Sequence, residues 1–156
     1  MQTEPSDHPG VVAWPPAIFA VALAAGIAAH SWLQIQLFPP LPARVAGSAV
    51  VCLAIGIALW AAKVMKEAGT NIHPHLPATT VVTAGPYALS RNPMYVSLCV
   101  LYVGTTLLID GVMPLIFLAP LILVLHFGVI KREERYLARK FGEGYLGYKA
   151  RVRRWV

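Results

Sequence analysis

The chain has 156 residues, 57% of them hydrophobic and 13% charged, with a formal net charge of +6. That is room for one domain at about half the charge density of a soluble one, and it excludes a disordered chain, which needs low hydrophobicity. Nor is the excess a nucleic-acid footprint: the nine Lys and Arg and three Glu after residue 130 account for all of it, beside an electrically balanced apolar body. The pattern is that of an all-α membrane protein, with no nucleic acid among its expected partners.

Residues 1–13 form an N-terminal extension that carries Glu4 and Asp7 but no Lys or Arg, unlike a cleavable signal peptide. Four charge-free runs follow: 15–37 with 23 residues, 45–62 with 18, 92–109 with 18 and 111–130 with 20. Roughly 20 apolar residues, rising 1.5 Å each, cross a hydrocarbon layer of about 30 Å, where the backbone must satisfy itself as helix. Four transmembrane helices are predicted. Helices one and two occupy 14–65 and meet in a tight turn, Phe38-Pro39-Pro40-Leu41-Pro42. Helices three and four occupy 93–130 and turn at Asp110-Gly111. Both termini and the long loop 66–92 then share one side, which carries twelve Lys and Arg against Arg44 alone opposite. The positive-inside rule sets that side in the cytoplasm, and the Ala-rich minimal chain reads as a bacterial inner-membrane protein. Trp14, Trp32 and Trp60 lie near span ends, where amphipathic rings favour the interface. Cys52 and Cys99 fall inside spans and read as buried thiols rather than a disulfide or metal framework.

The loop is the first place that packing alone does not explain. Pro74, Pro77 and Pro86 forbid a continuous helix, Thr79 to Thr83 is β-branched and expected to be extended, and Gly85-Pro86 makes a turn. Asn92 as N-cap and Pro93 as first helical residue start helix three. Its unpaired N–H groups, with Arg91 just before them, suit a carboxylate or phosphate. Taken alone, Arg91 reads more simply as a headgroup anchor. Helix four is expected to run on into the tail, 131–156, as far as Gly142, with Glu133, Leu137 and Phe141 on one face. Two adjacent acids weaken a tail's attraction to anionic lipid, although i, i+4 pairing with neighbouring bases also accounts for them. Tyr145, Tyr148, Val152 and Trp155 read as an interfacial aromatic segment. His73 and His75, with Pro between them, are a weak ligand pair, and no metal site is predicted.

Gly85-Pro-Tyr, Arg91-Asn-Pro-Met-Tyr95, a helical hairpin, Glu133-Glu134-x-x-Leu137 and Phe141-Gly-x-x-Tyr145-x-x-Tyr148 occur in this order. Over about residues 79–152 the sequence resembles the isoprenylcysteine carboxyl methyltransferase and phospholipid methyltransferase superfamily of integral membrane enzymes. The resemblance implies one methyltransferase domain, with S-adenosylmethionine (SAM) as methyl donor and a lipophilic or small membrane-partitioned acceptor. Its partners would be that acceptor and membrane lipids. Carried over residue by residue, cofactor contacts would fall on Thr79, Thr80, Val81, Val82, Tyr87, Asn92, Pro93, Met94, Tyr95 and Glu133. Arg91 and Glu134 would take catalytic roles, Glu134 as general base where the acceptor is an ammonium. The carboxylate of SAM suits Arg91, its ammonium and ribose hydroxyls the Glu pair, and its sulfonium and adenine the rings of Tyr87 and Tyr95. Asn92 stands where the family pattern carries His, and Asn cannot carry a proton near neutral pH. The alternative is a non-catalytic membrane scaffold or small transporter subunit, which accounts for the spans but not for an ordered Pro-rich loop or the acid pair.

Overall fold

Proline opens three of the helices, α1 (Pro15–Leu33), α2 (Pro40–Glu67) and α3 (Pro93–Leu108). Its missing N–H falls there on positions that have no partner inside a helix. α4 (Val112–Val124) follows Gly111 and continues through a π-turn (Leu125–Ile130) into α5 (Lys131–Arg151), and a 3₁₀ turn (Gly85–Ala88) precedes α3. The computed structural model describes residues 8–36 and 39–156. Glu4, Asp7, the end of the first predicted span at Leu37 and Phe38 of the predicted turn lie outside the described residues.

The chain is all-α, with no strand among the described residues. Thr79 to Thr83 runs as irregular backbone. Among the described residues, three helical stretches, α1, α2 and the α4–α5 run, are long and apolar enough to cross a membrane. α3, with 16 residues, rises about 24 Å and completes the four-helix bundle. Pro40 and Pro42, expected in a turn, instead sit in the first turn of α2, where proline is tolerated. α2 therefore reaches 28 residues, and Gly69, at φ 68°, lies just past its C-cap Ala68.

Val112 N–H donates to the Ile35 carbonyl at 3.2 Å, so the α1–α2 and α3–α4 connections meet at one end of the bundle. The long loop, the start of α3 and α5 occupy the other. α3 packs mainly on α2, and α1 on α4. Gly47 and Gly104 make the first pairing possible: a Cβ on Gly104 would sit 2.8 Å from Val51 Cγ2 and 2.9 Å from Val51 N. Small residues let helix backbones approach in lipid, where apolar side chains gain little by leaving the hydrocarbon. Tyr102 is fully buried, its hydroxyl donating to the Ala22 carbonyl at 3.1 Å and its ring meeting Phe19 edge-on at 5.7 Å. Val21, Leu59 and Ile116 point outward, as lipid contact requires. Cys52 lies on this outer surface rather than in the core, and Cys99 is half-buried.

Helix four does run on beyond Ile130, into α5. It carries one irregularity that periodicity does not foresee, the π-turn, whose extra residue rotates everything after it by about 100°. The Gly128 carbonyl within it accepts from Val12 N–H at 3.2 Å, which ties the N-terminal segment to the bundle. Gly142, read as a helix end, is a kink instead, at φ 50° and ψ −129°, and the helix resumes to Arg151. The aromatic segment beyond it therefore turns inward: Tyr145 and Tyr148 are buried, and the Tyr148 hydroxyl donates to the Tyr87 carbonyl at 2.7 Å.

Gly104→Ala should lower the thermal midpoint in detergent by several degrees, since overpacking costs about 1–3 kcal/mol. Gly56→Ala, whose Cβ would meet nothing within 4 Å, should be neutral or slightly stabilising. Equal midpoints for the two variants would refute the tight α2–α3 contact.

Candidate active site

At the loop end of the bundle lies a cavity of about 130 Å³, partly open to solvent. Four segments supply most of its wall, the loop from Asn71 to Ala78, Tyr87 of the 3₁₀ turn, Arg91 to Tyr95 at the start of α3, and Glu133 to Leu137 with Tyr145 of α5, while Pro9 and Met65 complete it. The loop reaches it because it folds back on itself. The Thr79 hydroxyl donates to the Gly69 carbonyl at 2.8 Å, Thr79 N–H to the Thr70 hydroxyl at 3.1 Å, and Ala78 N–H to the Tyr136 hydroxyl at 3.1 Å.

The two adjacent acids meet different surroundings. Glu134 is buried and takes a bidentate grip from Arg154, Nε to Oε1 at 2.8 Å and Nη2 to Oε2 at 2.7 Å. Arg91 approaches the same carboxylate at 3.2 Å, and its side chain is 8% exposed. Its buried Nε and Nη1 find no hydrogen-bond partner among the described residues, so this contact is an ion pair without hydrogen-bond alignment. Burial would push the Glu134 carboxyl up, but the hydrogen bonds from Arg154 and the charges of Arg91 and Arg154 outweigh it and hold it below the usual range. Glu133 is half-buried and accepts from the Tyr95 hydroxyl at 2.7 Å. Burial pushes its carboxyl up to about 7, with the Tyr95 hydrogen bond pulling the other way and Glu134 adding to the rise. Burial, then Glu134, raises the Tyr145 phenol to about 12, and burial likewise raises Tyr87, so both remain neutral donors.

Of the residues singled out from the sequence, Arg91, Asn92, Pro93, Met94, Tyr95, Tyr87, Glu133 and Glu134 all line this one cavity. Thr79, Thr80, Val81 and Val82 do not: the Thr79 hydrogen bonds fold the loop so that its earlier part faces the cavity. Phe141, placed with Glu133 and Leu137 by helical spacing, is also absent from the wall. Asn92 precedes α3 as expected but makes no side-chain cap; its amide donates instead to the Arg154 carbonyl at 2.8 Å. Glu134 does not suit a general base, because both its oxygens are held by a guanidinium. Sequence reasoning missed Tyr136, Tyr145 and Arg154 as parts of the site. The Tyr-x-x-Tyr spacing after Gly142 was the available signal for Tyr145, and a lone arginine in a basic tail offers none. His73 lines the cavity, yet among the described residues no three His, Cys, Asp or Glu side chains gather as a metal site would require.

Apolar helices enclosing a charged, tyrosine-walled cavity at one end define an integral membrane protein with an enzyme-like site. Residues 42–144 match the family described as phospholipid methyltransferase, and the chain belongs to that family, within the isoprenylcysteine and phospholipid methyltransferase superfamily. It is a membrane methyltransferase. An uncharacterized protein of Haemophilus influenzae (strain ATCC 51907 / DSM 11121 / KW20 / Rd) is 40% identical over 63 residues, which are 40% of this chain and the whole of that relative.

Removing one partner from a buried ion pair costs about 3–5 kcal/mol, whereas an exposed pair contributes well under about 1 kcal/mol. Glu134→Gln should therefore lower the thermal midpoint markedly. Glu67→Gln, which breaks the exposed Lys63–Glu67 pair at 3.8 Å, should leave it within a degree or two. A Glu134→Gln midpoint equal to that of the wild type would show that the buried cluster does not hold the structure.

Proposed function

We propose that this protein is a SAM-dependent methyltransferase acting on a lipophilic acceptor at the cytoplasmic face of a bacterial inner membrane. One juxtaposition carries the reading: a buried arginine with unsatisfied donors and a titratable carboxylate face the same tyrosine-lined cavity. Membership of a methyltransferase family supports it, and so does the excess of Lys and Arg on the loop side.

The donor set fits SAM. Arg91 offers N–H groups to a carboxylate, Glu133 a negative charge to an ammonium or sulfonium, and the rings of Tyr87, Tyr95 and Tyr145 an electron-rich wall for a cation. When bound, SAM supplies a methyl group already activated by positive sulfur, which leaves the protein chiefly to position and desolvate. Arg91 binds and orients. The tyrosines, neutral at working pH, exclude water. Glu133 holds its proton close to neutral pH and is the group suited to take one from an ammonium acceptor, the role that sequence reasoning gave to Glu134. A carboxylate or thiolate acceptor needs no such step.

The pH dependence follows with a definite sign. The folded Glu133 carboxyl binds its proton more tightly than an ordinary one, so its contribution to ligand-free stability is full at low pH and is lost as pH rises through about 7. A cationic ligand favours the ionised form, so binding should expel a proton and tighten as pH rises through the same range. Calorimetric titration with SAM should show both effects. Glu133→Gln should remove them and weaken binding about tenfold or more, while circular dichroism stays unchanged. Wild-type affinity in that variant would end the assignment of Glu133.

A further inference from the structure

Arg154 lies outside the family-matched stretch and does not line the cavity, yet it dominates the cluster behind it. Its fork takes both oxygens of Glu134 at 2.8 and 2.7 Å, the geometry in which a carboxylate binds a guanidinium best. Arg91, which also interacts with the Tyr145 hydroxyl, meets that carboxylate only through an unaligned 3.2 Å contact and keeps two buried nitrogens without hydrogen bonds. Two cations thus share one anion, and the less compensated of them faces the cavity.

The segment that delivers Arg154 is held independently of this grip. Arg91 N–H donates to the Arg153 carbonyl at 2.9 Å, and the Asn92 amide to the Arg154 carbonyl at 2.8 Å. The Trp155 ring stacks on His126 with centroids 6.4 Å apart and planes at 16°. The first two contacts rest on backbone carbonyls and do not need the Arg154 side chain, whereas His126 Nε2 also lies 3.4 Å from Arg154 Nη1.

We propose that Arg154 is a positioning residue: by gripping Glu134 through both oxygens, it keeps that carboxylate from closing onto Arg91 and so preserves Arg91 as the receptor for a ligand carboxylate. The inference rests on the reading that the cavity binds SAM. Without the Arg154 fork, Glu134 turns onto Arg91 and neutralises the guanidinium that the ligand needs.

The test titrates the full chain in detergent with S-adenosylhomocysteine and with its decarboxylated analogue, which differ by the carboxylate at issue. Arg154→Gln should lower affinity for S-adenosylhomocysteine about tenfold, the value of one charged hydrogen bond, and change affinity for the analogue less than about twofold. Arg154→Lys keeps the charge but not the fork and should lose about threefold, again for S-adenosylhomocysteine alone. It decides the matter if Arg154→Gln does not fold. Equal losses for both ligands would mark a merely structural role and overturn the proposal. Unchanged affinity in both variants, with wild-type binding intact, overturns it while sparing the SAM reading. A wild-type protein that binds neither ligand overturns that reading and the proposal with it.

Discussion

A single buried carboxylate, that of Glu134, connects three stretches of chain that have little else to bring them together. It lies in the first turn of α5, its Arg91 partner immediately precedes α3, and its Arg154 partner follows the last helical turn. Within lipid, helices gain little from hydrophobic association, and the bundle closes through small residues and interhelical hydrogen bonds. At the polar end a different kind of tie is available. A buried charge tolerates no loss of its partners, so the cluster fixes the cavity wall more sharply than apolar packing would.

The neighbouring Glu133 shows how much one residue of helical rotation changes. Both acids stand in the same basic tail, yet one is clasped by guanidinium groups and the other meets a phenol and the cavity. Their proton affinities are driven apart by these surroundings, burial dominating at Glu133 and the arginines at Glu134. Paired acids separated in this way are a common arrangement where one group must hold structure or charge and the other must exchange a proton. Here the separation comes from the fold and not from the side chains, which are identical.

Much of the fold was legible because it rests on exclusions. Charge cannot sit in the hydrocarbon, so charge-free runs marked the spans, and proline favours a helix's first turn, so Pro93 marked the start of α3. The same logic misread Pro40 and Pro42, since proline at a helix start and proline in a turn look alike in sequence. Arg91 and the Glu pair were legible as chemistry out of place: a cation before an Asn-Pro helix start, and acids amid bases. Thr79 to Val82 fall outside the cavity wall because the path of an irregular loop depends on pairings such as Thr79 with Thr70, which no local pattern reveals. Arg154 was invisible for another reason. One more arginine near a lipid surface reads as an anchor until the kink at Gly142 is known to carry the chain back over the start of α3.

The π-turn at Leu125–Ile130 bears on how this chain is compared with others. A regular helix through the same stretch would need one residue fewer to present the same acids to the same place. In an alignment, a relative built that way would show a one-residue gap inside an unbroken hydrophobic segment, where gaps are usually dismissed as noise. Closing such a gap would set the wrong acid against its counterpart and exchange the structural carboxylate for the titrating one.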